Sequence, residues 1–99
     1  MLVKVNVPLR TLDGQVMKDN DGQGKAINAT LKMAIINAVL SPVERESGID
    51  KVKKYELAKM VFANDEVDLN EDDIKLIKDR VGEMFPPIVV GQVYELLKV

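Results

Sequence analysis

The chain contains neither cysteine nor histidine. Without thiols there are no disulfides and no thiolate metal sites. Without imidazole the usual general base and the commonest transition-metal ligand are missing. Ser-His-Asp, Cys-His and His-carboxylate zinc chemistry are therefore excluded within these 99 residues. Tryptophan is absent too, and the only aromatics are Tyr55, Phe62, Phe85 and Tyr94. They fall at helical core spacings, so a base-stacking platform is not expected. No apolar run approaches the roughly 20 residues a bilayer span needs. The formal net charge is only −2, which provides no global pull towards nucleic acid. Long linkers, internal repeats and low-complexity segments are missing as well. Met1-Leu2-Val3-Lys4 alternates and lacks the basic-then-apolar form of a signal peptide, so a reducing, intracellular compartment is the expectation.

What is present starts with one strongly apolar stretch. In 30–40, Leu31, Ala34, Ile35, Ala38 and Val39 fall on a single helical face. Met33, Ile36 and Leu40 cover most of the remaining surface, leaving only Lys32 and Asn37 firmly polar. A helix of that kind must be enclosed, and it predicts the central core helix of one domain spanning 1–99. Thr30 is a suitable N-cap, and Pro42 ends the helix near Ser41.

Before that helix, Val3, Val5, Val7 and Leu9 alternate with Lys4, Asn6, Pro8 and Arg10, as in a half-buried strand. Asp13-Gly14 signals a hairpin turn. A three-residue loop, 12–14, with Gly14 left-handed sets Leu9 opposite Met17 and pairs apolar with apolar. The return strand is then 15–18. Residues 19–24 read as a loop, and 25–29 as extended chain.

After the core helix, Ser47 or Asp50 caps a second helix over about 49–63, basic in its first half and apolar in its second. Val67 and Leu69 mark a short strand. Asn70 caps a third helix with Asp73 as its capping-box partner, and Ile74, Ile77, Val81, Met84 and Phe85 form the apolar side. Lys75, Lys78, Asp79, Arg80 and Glu83 take the wet side. Pro86-Pro87 separates a fourth helix, whose Gly91 implies that another backbone passes close by. The fold class is α+β, mostly helical, with an N-terminal β-hairpin packed on about four helices.

The polar clusters carry little chemistry. An EF-hand frame over 17–28 sets Met17 and Asn28 where the first and last carboxylates belong. Gly24-Lys25 lacks both the first glycine and the Ser/Thr of a phosphate loop. The acidic run 65–73 reads as a helix N-terminus and a solvated surface. Lys51, Lys53, Lys54 and Lys59 project in several directions, as solubilising residues do. Met17, Met33, Met60 and Met84 read as core fillers. Neither a cofactor nor a metal is expected, nor is an enzyme, and membrane partners are not expected. A small sheet must leave an open edge, however, and open edges accept strands. The candidate partner-binding residues are therefore Lys4, Asn6, Pro8 and Arg10, serving self-association or a protein partner.

Four stretches resemble small proteins encoded in bacteriophages and prophages. They are Thr11-Leu12-Asp13-Gly14, Lys51-Val52-Lys53-Lys54-Tyr55-Glu56-Leu57-Ala58, residues 67–78, and Val89-Val90-Gly91-Gln92-Val93-Tyr94-Glu95-Leu96-Leu97. The likeness spans most of the chain, and 19–25 match least. It implies a viral accessory or morphogenesis protein made in the host bacterial cytoplasm, and it brings no catalytic residue with it. The function expected is non-enzymatic, through protein–protein contact in assembly or in modulating a host or phage protein. The alternative is a nucleic-acid-associated regulator using the basic helix 49–63.

Overall fold

In the computed structural model, which describes residues 1–20 and 22–97, the apolar stretch forms α1 (Leu31–Leu40). The Thr30 hydroxyl accepts from the Met33 amide, the N-cap its sequence implies. Leu31, Ala34, Ile35, Ile36, Ala38 and Val39 are buried. Helix α1 packs against both α2 (Gly48–Ala63) and α3 (Glu71–Met84), while α3 also holds α4 (Pro87–Leu96). Ser47, rather than Asp50, caps α2: its side chain accepts from the Asp50 amide. Asn70 and Asp73 form the expected reciprocal box at the start of α3. The fold is α+β and mostly helical, with four helices among the described residues.

The N-terminal stretch keeps its alternation but changes partners along its length. Its first part, β1 (Leu2–Lys4), pairs antiparallel with β4 (Glu66–Asp68), setting Val3 opposite Val67. The Val5 and Val7 carbonyls then accept from the Lys32 and Leu31 amides at 2.7 and 2.9 Å. Two donors that α1 cannot satisfy internally are thereby covered. Leu9 lies opposite Met17, and the Met17 amide donates to the Leu9 carbonyl at 2.8 Å. Gly14 closes that turn at φ 88°, so the register is the one that pairs apolar with apolar. Beside the turn, the Thr11 hydroxyl and then the Gln15 backbone hold the exposed Asp13 carboxyl below its ordinary value. Whatever stability this adds is present above the unfolded-state pKa and is lost as pH falls through the folded one.

A second hairpin follows where the composition suggested mainly loop. Strand β2 (Lys18–Asn20) pairs antiparallel with β3 (Ala26–Asn28). Asp19 and Asn20 are thus in strand, and the turn is shorter than 19–24. The Asn20 side chain accepts from the Gly22 and Gly24 amides, which supplies turn bonds that turn propensity alone does not locate. Asp21 lies outside the described residues.

Three features of the helices differ from the periodic reading. Arg80, expected on the wet side of α3, is buried, whereas Met84 is exposed. Arg80 donates to the Ala38 carbonyl at the C-terminus of α1, to Ser41 and to Glu83. Helix α1 has no basic residue in its own last turn, so Arg80 complements its dipole from a neighbouring helix. Lys54, expected to be solvated, is buried against Glu46. The turn bringing Glu46 there includes Arg45 at φ 60°, a left-handed residue without glycine's freedom.

The third concerns Gly91, which has no close neighbour: a Cβ there would meet nothing within 4 Å. The buried residues of α4 are Val89 and Val93, continued by Leu97 at its C-cap, and Gly91 falls outside that stripe. Close approach occurs at Gly82 instead, where a Cβ would lie 3.1 Å from the Tyr94 hydroxyl, which donates to the Lys78 carbonyl. Gly91→Ala is therefore expected to stabilise the protein by about 0.5–1 kcal/mol, raising Tm by a few degrees in a circular-dichroism melt. A lower Tm would reveal an obstruction at this position.

Candidate functional site

Helix α2 turns Lys54, Leu57, Ala58 and Val61 inwards. Tyr55 and Phe62, both expected in the core, lie on the adjoining stripe and face outwards, 54% and 69% exposed. The spacing between them suits either stripe, and packing against α1 selects the one with Ala58 and Leu57. Across from them, Ile36 forms the groove floor and Leu40, 53% exposed, forms its wall. Ala58 and Ala63 are small enough to leave a groove of about 390 Å³ between α1 and α2. Its lining is apolar except for the Tyr55 hydroxyl and Lys59, whose ammonium lies 5.1 Å from the Tyr55 ring centroid.

Charged residues flank this groove along the chain. Lys51 lies one helical turn before Tyr55 and lines the surface that continues from Leu40. Beyond Phe62 come the exposed Asp65 and Glu66. Lys32 ties that end down, donating to the Phe62 carbonyl at 3.3 Å and to Asp65 at 3.2 Å. The sequence signal for the groove was present but ambiguous: α2 has more large apolar residues than one stripe can bury.

The strand-edge candidates separate. With Val5 bonded to Asp65 and Met1 to Leu69, the Lys4 backbone points to the unpaired edge of β1. Asn6 is exposed just beyond that strand. Pro8 instead pairs with Thr30. Arg10 is held by Gln92, which accepts from its amide and donates to its carbonyl, each at 2.7 Å. The four residues do not form one continuous free edge.

The acidic run 65–73 is used structurally: Asp65 pairs with Lys32, and Asp73 closes the α3 box. Among the described residues no cluster of three or more carboxylates could hold a metal ion. No described helix is long and apolar enough to cross a membrane. Compared with known protein families, curated proteins and solved structures, the chain matches none.

Proposed function

We propose that this is a non-enzymatic accessory protein, made in the host bacterial cytoplasm in the phage or prophage setting its sequence resembles, and that it acts by protein–protein contact. The observation that supports this reading is the α1/α2 groove, where three large apolar side chains stand exposed around one apolar depression. Contiguous exposed apolar surface of this kind is typical of binding faces. The groove offers a tyrosine hydroxyl and a lysine but no paired nucleophile and base. The regulator alternative is weakened because Lys54 is buried in an ion pair. Lys51, Lys53 and Lys59 are also spread around α2 at about 100° per residue, with no continuous phosphate-tracking stripe.

Photocrosslinking residues placed singly at Tyr55, Phe62, Lys4 and Leu12, in bacterial cells carrying the protein, test this. Discrete protein adducts are expected at 55 and 62 and not at Leu12, the exposed hairpin tip. Adducts at Lys4 alone would move docking to the strand edge. No adduct at 55 or 62 overturns the groove reading.

A further inference from the structure

We propose that the trough between α2 and α3 is a second docking face, and that its occupant is a basic amphipathic helix of another protein. Its lining shares no residue with the α1/α2 groove, so it stands independently of that groove.

Helix α1 packs closely against α2 and against α3, but α2 and α3 are not packed closely on each other. The gap left between them is a trough of about 510 Å³. Leu57, Met60 and Leu76 give it an apolar lining, and Val52, 58% exposed, extends that surface outwards. Two helices form its walls and no strand edge borders it, so strand addition is not available there. A helix laid along the trough would bury an apolar stripe against both walls.

Charge selects the sign of that helix. Glu56 stands on the α2 side of the trough and Asp72 and Asp73 on the α3 side. Asp50 continues the acidic rim at one end. Asp50, Glu56 and Asp72 make no ion pair with any described residue. Among the described lining residues Lys53 is the one cation left to oppose them, because Lys54 is already bound to Glu46. The whole chain carries a formal charge of only −2, so this imbalance is local. Lysine or arginine flanking a partner's apolar stripe would complement the rim, whereas an acidic helix or a phosphate backbone would be repelled. The carboxylates are spread along two helices rather than gathered around a point, and no group of three among the described residues could hold a metal ion.

The test is a titration followed by amide chemical shifts. The probe is a synthetic amphipathic helix of leucine and lysine, and the control is its leucine–glutamate counterpart with the same apolar stripe. The leucine–lysine helix is expected to bind saturably, to shift amides of 52–57, 60 and 72–76, and to bind more weakly as salt is raised. The leucine–glutamate helix should bind at least about 10-fold more weakly, in keeping with several exposed charge pairs. Glu56→Lys with Asp72→Lys should reverse that preference while circular dichroism remains that of the parent. Glu56→Lys alone, away from the start of α3, should move it in the same direction. Phe62→Glu should leave it unchanged.

No saturable binding of the leucine–lysine helix overturns the proposal, as does equal binding of both helices. Shifts centred on Tyr55 and Phe62 place the probe in the α1/α2 groove and overturn it too. Concentration-dependent shifts at 52–60 and 72–76 without any probe make the occupant a second copy and overturn a foreign one. The crosslinking above reads the other groove, so the two readings fail separately.

Discussion

Ile35→Asp is expected to leave the chain largely unfolded at room temperature, or to melt at least 20 °C or so below the parent. Ile35 is fully buried in the middle of α1, a helix that packs against both α2 and α3. The substitution removes a packed side chain and puts a carboxyl group where no partner is available. Together these cost several kcal/mol, against a total of about 5–15 kcal/mol for a small domain. Burial disfavours the charged carboxylate, so its pKa in the folded variant is raised. Stability of the variant should therefore fall as pH rises through the carboxylate range, and part of it should return in acid. Thermal melts at neutral and acid pH measure both effects. Asn37→Asp, on the exposed side of the same helix, serves as control and should melt near the parent. If Ile35→Asp does so too, α1 is not the core helix.

Lys54→Met is the second large effect. It leaves Glu46, whose side chain is only 9% exposed, without its counter-charge. Breaking a buried pair from one side costs about 3–5 kcal/mol, whereas replacing both partners by apolar residues is often neutral. Lys54→Met should therefore destabilise strongly in urea denaturation, and adding Glu46→Leu should recover most of the loss. Lys53→Met, next along the helix but exposed, should change stability by no more than about 0.5 kcal/mol. A Lys54→Met variant within 1 kcal/mol or so of the parent would mean that Glu46 escapes to solvent and the pair contributes little.

Both predictions depend on residues that differ in how far the sequence reveals them. Ile35 was legible because α1 is apolar almost all round, and such a helix has no alternative to enclosure. The helix starts were legible for a similar reason: Thr30, Ser47 and Asn70 satisfy amides a few residues away, so their role is local. The Leu9–Met17 register followed from Gly14 and from alternation, which is also local.

Tertiary structure alone decided the rest. Lys54 and Arg80 read as solvated because helical periodicity records only hydrophobicity. Their partners, Glu46, Ala38 and Ser41, lie in other segments, and those partners make burial affordable. Likewise β1 found β4 across most of the chain, since a strand's alternation states which face is wet and not which backbone completes it. Tyr55 and Phe62 show the same limit at the candidate site. A helix with two apolar stripes can bury either, and the neighbour that packs against it, here α1, determines which stripe becomes core and which is left exposed.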